Sequence, residues 1–243
     1  MHINILTIFP EVFDALNYGV IGKAKTNKSF SIKLQDIRDY PVNKHGQIDS
    51  KPYGGGEGMV MMAEPLKKSL NNIPKEKLGK VIYLSPQGAL FNNTKAKKLS
   101  KEPSVTFICG RYEGIDQRFI DKYVDEEISI GDFIISGGEI AALCIVDSVI
   151  RHIPGVLGNK DSSKNDSFSN GLLKGPQYSR PEVFEEIPVP EVLLSGDHKK
   201  IKEWKDLKSI EATIIRRPDL LNNVKLTKKQ RKLLEDLASQ SIL

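Results

Sequence analysis

Apolar residues along this chain recur first at strand spacing and then at helix spacing, and the switches mark out elements. INILTIF (3–9) is apolar and β-branched and ends at Pro10, so a buried strand is predicted there, with a short helix from Glu11 through Leu16. FSIKLQDI (30–37) alternates apolar and polar residues. VIYL (81–84), VTFICG (105–110) and FII (133–135) are compact β-type runs, each closed by small residues or glycine. Between them, AEPLKKSLNNI (63–73), NTKAKKLSK (93–101) and QRFIDKYV (117–124) read as helices. EIAALCIVDSVIRHI (139–153) is apolar on most faces, as a helix buried in a core or an interface is. Strand and helix alternating over about 150 residues predict an α/β fold, a mostly parallel sheet with helices on both faces.

The texture then changes. GNKDSSKNDSFSNG (158–171) holds one apolar residue, Phe168, and is too polar to build a core; it reads as a linker or lid. A stretch broken by Pro176, Pro181, Pro188 and Pro190 follows. Two helices close the chain. In the first (198–217), Ile201, Trp204, Leu207, Ile210 and Ile214 recur every three or four residues. The second (226–239) carries Thr227 and Gln230 at the spacing of a capping box. The expected organisation is a larger domain over 1–160, a flexible linker over 161–172 and a small, mainly helical domain over 173–243.

Charge adds a direction. The 243 residues carry a net charge of +5, and from Gly196 onward twelve Lys and Arg face seven Asp and Glu, so the tail holds the whole excess. A basic excess at one end suits contact with RNA or DNA, and equally a solvated helical surface. No apolar run reaches the roughly 18 residues that span a bilayer. The opening MHINILTIFPEVF lacks a secretory leader, and Cys109 and Cys144 cannot frame a zinc site. A cytoplasmic protein with reduced thiols is expected.

Three strand ends share one design: YLSPQG (83–88), CGRYEG (109–114) and SIGDFIISGGE (129–139). Ligands of parallel α/β sheets sit beyond the carboxyl ends of strands, and glycine there lets backbone approach them closely. None of the three has the lysine of a phosphate-binding loop, so they suit a ligand read by backbone hydrogen bonds, such as an adenine nucleoside. A single glycine after a strand is usually just a turn; three such loops together point to a site. KPYGGGEGMVMM (51–62) is a fourth glycine cluster, either a plain linker or a close-contact loop, with Tyr53 and Lys51 suited to a base or phosphate. Arg151 at the end of the 139–153 helix can be there for the helix dipole alone. Asp166, by composition, is a solvated carboxylate. The four histidines show no metal-ligand spacing.

In order along the chain, ILTIFPEVF, PYGGGEGM, YLSPQG, CGRYEGID, SIGDFIISGGE, DSVIRHIPGVLG, NDSFSNGLL, QYSRPEV, VPEVLLSGDH and RRPDLL closely resemble the bacterial tRNA (guanine37-N1)-methyltransferases of the SPOUT superfamily. The resemblance covers essentially the whole chain. It implies a deep trefoil knot, where periodicity alone predicts an unknotted doubly wound sheet. It implies that the three loops hold S-adenosylmethionine. Tyr83, Leu84, Ser85, Pro86, Gln87 and Gly88 line one side, Gly110, Arg111, Tyr112, Glu113 and Gly114 a second, and Ser129, Ile130, Gly131, Phe133, Ile135, Gly137 and Gly138 the rest. Phe133 departs from the tyrosine of some relatives, and Ala141 from a frequent proline.

The same resemblance makes Asp166 the base that deprotonates N1 of guanosine 37 and Arg151 the cation that stabilises charge on O6. Asp49, Lys51, Tyr53, Gly54, Gly55, Ser167, Lys228 and Lys229 would contact a tRNA bearing G36 and G37. A homodimer with shared active sites follows, as does a magnesium requirement with no assigned site. No DNA or membrane partner is expected. The alternatives are a SPOUT methyltransferase acting on another RNA site and a non-catalytic RNA-binding protein.

Overall fold

A computed structural model describes residues 1–157 and 166–224, and beyond them 226, 227, 230–232 and 234. The chain divides into two compact units, Met1–Gly158 and Asn159–Leu243.

The first unit opens with β1 (His2–Thr7), a 3-10 helix over Pro10–Asn17 that covers the expected short helix, then α1 (Gly19–Thr26) and β2 (Ser31–Asp36). A hairpin of two short strands, β3 (Asp49–Ser50) and β4 (Val60–Met61), flanks the glycine cluster. Next come α2 (Ala63–Asn71), α3 (Lys75–Leu78), β5 (Lys80–Leu90), α4 (Asn93–Leu99), β6 (Ser104–Cys109), α5 (Gln117–Tyr123), β7 (Glu126–Ser129) and α6 (Gly138–Ile150). Five strands form one parallel sheet in the order β2-β1-β6-β5-β7.

Fully buried strands need apolar side chains on both faces, and β6 is buried at every position. Phe107 and Ile82 join the core formed with α6, α4 and the 3-10 helix. Ile108 and Tyr83 face the opposite core, with Leu66 of α2 and Phe119 of α5. The sheet thus lies between two helical layers. α6 buries Ala142, Ile145, Val146, Val149 and Ile150, while Ile140 and Cys144 stay exposed.

The predicted strand at 133–135 is a loop, with Phe133 and Ile134 exposed. The edge strand is instead Glu126–Ser129, hidden in the sequence by its two carboxylates. Glu126 can occupy it because Lys80 and Lys95 pair with it at 2.5 and 2.6 Å. β5 also runs six residues past the predicted VIYL. Leu84 and Ala89 both pair with Ile128, so Ser85–Gly88 bulge out of a strand that then resumes.

In the second unit a short hairpin, β8 (Val183–Phe184) with β9 (Ile187–Pro188), precedes α7 (Glu191–Leu194) and the long α8 (His198–Arg216). Asp197 caps α8 by accepting from the amides of Lys199 and Lys200. Its apolar stripe is half-buried to buried, and Ile210 is fully so. The capping box at Thr227 and Gln230 forms in both directions, at 2.9 and 3.2 Å. The predicted helix beyond it lies mostly outside the described residues.

Candidate active site

The bulge of β5, the turn after β6 and the long loop from β7 to α6 converge beyond the carboxyl ends of their strands and enclose a cavity of about 460 Å³. That volume falls in the range of small-molecule sites. It brings together every residue expected in the donor pocket except Gly88, and adds Ile115, Gln117, Ile120, Glu127, Ile128, Ile134, Ser136 and Ala141. Gly88 serves the wall from behind: a Cβ on it would lie 2.3 Å from the Ile128 amide nitrogen.

Tyr83 is buried beneath the pocket. Burial, with the charge of Glu127 adding to it, pushes its phenol up to about 12, so it stays neutral. Gly110 lies against that ring, where a Cβ would come within 2.8 Å. Tyr112 holds a left-handed backbone (φ 61°) that costs a non-glycine residue roughly 1 kcal/mol or more, a strain that clusters at functional sites. Neighbouring bonds fix it: the Glu113 amide donates to Met59 at 2.9 Å and the Met61 amide to Gly114 at 3.0 Å.

Those two bonds also stitch the glycine cluster to the pocket. Gly54, Gly55, Gly56 and Gly58 all have positive φ, and Gly58 faces Glu113 so closely that a Cβ would meet its carboxylate at 2.6 Å. Partial burial raises the Tyr112 phenol, and Asp49, which accepts its hydrogen bond, raises it further. Asp49, Lys51, Tyr53, Gly54 and Gly55 therefore sit on a hairpin fastened to the pocket's second loop, with Tyr53 99% exposed.

Arg111 lines the cavity but points its charge inward. Its Nε donates to Glu139 at 2.8 Å, its Nη1 to the Ser136 carbonyl at 3.2 Å, and its guanidinium lies 4.5 Å from the Phe9 ring centroid. Glu139 is completely buried, and its other oxygen accepts from the Thr7 hydroxyl at 2.8 Å. The sequence reading passed over Glu139 and Thr7. A carboxylate opening an otherwise apolar helix was the signal, since a buried charge demands a partner.

Arg151 is exposed and forms the C-cap of α6, its amide donating to Asp147 at 3.4 Å. Asp166 belongs to the second unit, where its carbonyl accepts from Ser169 at 3.2 Å. Ser167 accepts from the Lys174 amide at 2.9 Å. Phe168 and Leu172 close the same turn at 2.8 Å, with Leu172 buried. Lys228 and Lys229 lie outside the described residues. Among those described, no three His, Cys, Asp or Glu side chains converge as a metal-binding group.

A family model described as tRNA (Guanine-1)-methyltransferase TrmD matches residues 1–223. The chain belongs to the TrmD family. Among its relatives, the tRNA (guanine-N(1)-)-methyltransferase of Clostridium novyi (strain NT) is 51% identical over 235 residues, 97% of each chain. The proteins of the same name from Clostridium botulinum (strain Loch Maree / Type A3) and Clostridium beijerinckii are 49% and 48% identical over 236 residues, 97% of this chain and 98% of theirs. The family match spans all three loops that build the cavity.

Proposed function

We propose that this chain methylates N1 of guanosine 37 in tRNA beside guanosine 36, with S-adenosylmethionine as the donor. The observation that carries the reading is the cavity itself, lined by three glycine-bearing loops in a chain of the TrmD family. The lining residues Leu84, Gly110, Ser129 and Gly137 suit an adenine and its ribose, with the neutral Tyr83 beneath them. The donor supplies a methyl group on a cationic sulfur, so no metal is needed to make it electrophilic.

The acceptor sets the chemical problem. N1 of guanine carries a proton, and its lone pair becomes available only as that proton leaves. Asp166 accepts the proton as general base while N1 takes the methyl group. Arg151 stabilises the negative charge that builds on O6. The 49–55 hairpin contacts the RNA, as do Ser167, Lys228 and Lys229. A homodimer completes each active site, and the exposed Ile140 and Cys144 of α6 suit its interface. The knot is part of the same proposal. Its support is membership of the TrmD family.

One assay tests the whole. Purified protein is incubated with methyl-labelled donor and unmodified tRNA bearing guanines at 36 and 37, and the product is mapped. Label at N1 of position 37 is expected. Label elsewhere would assign another RNA site, and no transfer would leave an RNA-binding protein. Asp166→Asn should keep donor affinity in calorimetry while turnover falls by roughly a hundredfold or more; equal loss of both would remove Asp166 as the base.

A further inference from the structure

We infer that Glu139 is a positioning residue: by holding the Arg111 guanidinium it fixes the loop between β7 and α6 in the shape that receives the methyl donor, an inference that rests on the donor reading given for the pocket. Four observations converge on it. Glu139 is fully buried, and a buried ion pair contributes little net stability because desolvation offsets the attraction. An apolar pair of similar volume would stabilise the fold about as well, so stability alone does not account for the charge.

Both carboxylate oxygens are engaged, one by the Thr7 hydroxyl and the other by Arg111 Nε, each at 2.8 Å. The Thr7 oxygen in turn accepts from the Phe9 amide at 2.9 Å, and the Phe9 ring carries the guanidinium face. Arg111 is thereby held by Glu139 and the Phe9 ring, and its Nη1 donates to the Ser136 carbonyl in the third loop. That loop has apolar anchors only in Ile130 and Ile135, which pack against the core, while Phe133 is 55% exposed and Ile134 82%. Finally, Gly137 clears the space. A Cβ there would lie 2.2 Å from Arg111 Nε and 2.7 Å from a Glu139 oxygen. The φ of Gly137 is 172°, open to any residue, so the glycine serves the latch rather than a turn.

The experiment compares wild type, Glu139→Gln, which keeps size and loses charge, and the neutral pair Arg111→Met with Glu139→Gln. Hydrogen exchange on donor-free protein should show amides 131–137 of Glu139→Gln exchanging roughly tenfold faster, with β1 and β6 unchanged. Equal exchange in that loop overturns the proposal. S-adenosylhomocysteine should bind Glu139→Gln roughly tenfold more weakly than wild type, the equivalent of one charge-assisted hydrogen bond.

The double variant separates positioning from stability. It leaves no unpaired charge, so its melting temperature should recover while its affinity stays low. Recovery of both would show a stability role only and overturn the inference. If the single variant does not fold, the double variant carries the same comparison against wild type. A wild-type protein that fails to bind S-adenosylhomocysteine overturns the donor reading instead, and the exchange measurement then decides alone whether Glu139 holds the loop.

Discussion

At Gly88, one methyl group would lie 2.3 Å from the Ile128 nitrogen and 2.4 Å from the Glu127 carbonyl carbon. Both are backbone atoms of β7, so relief requires the strand to move. Gly88→Ala should therefore cost about 1–3 kcal/mol in urea unfolding and weaken donor binding, since the displaced strand leads into the third pocket loop. Gly46 is the control. It has φ 77° and nothing within 4 Å of an added Cβ. Gly46→Ala should cost only the left-handed strain, about 1 kcal/mol, with donor affinity intact. Equal losses of affinity in the two variants would contradict the packing argument. Neither distinction is visible in the sequence, where both positions are glycines near proline or polar residues.

Among the elements, β7 shows how far periodicity reaches. EEIS has one apolar residue and gives no strand signal, whereas FII reads as a strand; the fold makes the first a strand and the second a loop. The decisive term is pairing at the sheet edge. Burial pushes the Glu126 carboxyl up, but hydrogen bonds and charge from Lys80 and Lys95 outweigh it and hold the group below its usual 4.5. A depressed folded value means that the stabilisation is complete above about pH 4.5 and fades as pH falls through the lower folded value. Glu126→Gln should thus lose about 1 kcal/mol near pH 7, and the gap to wild type should narrow in urea unfolding as the pH falls below that range. A gap that persists in acid would show that the amide disrupts packing rather than a charge pair.

For the whole molecule, charge is distributed unevenly: the segment from Gly196 carries the net +5 while the rest is neutral. If the tail grips a polyanion, salt should weaken binding steeply, because each phosphate contact releases counterions. Lys228→Ala with Lys229→Ala should make the slope of log affinity against log salt shallower by about 1 per lysine, measured by filter binding with tRNA. An unchanged slope would take both residues out of the RNA footprint.

Local signals determined a good deal by themselves. Runs of apolar β-branched residues marked β1, β5 and β6 because strands buried on both faces tolerate little else. The stripe of α8 and the Thr227–Gln230 cap were equally legible, since both depend on spacing within a few residues. The glycine loops announced a pocket because their backbone had to be reachable. Tertiary structure alone decided the rest. Thr7, Phe9, Arg111, Ser136 and Glu139 span more than a hundred positions of chain, and nothing in their local neighbourhoods couples them. Their partnership exists only because strand order places β1 beside β6 and α6 returns against both. Local preference is written in neighbours along the chain, whereas buried charge is satisfied by whatever the fold brings within about 3 Å.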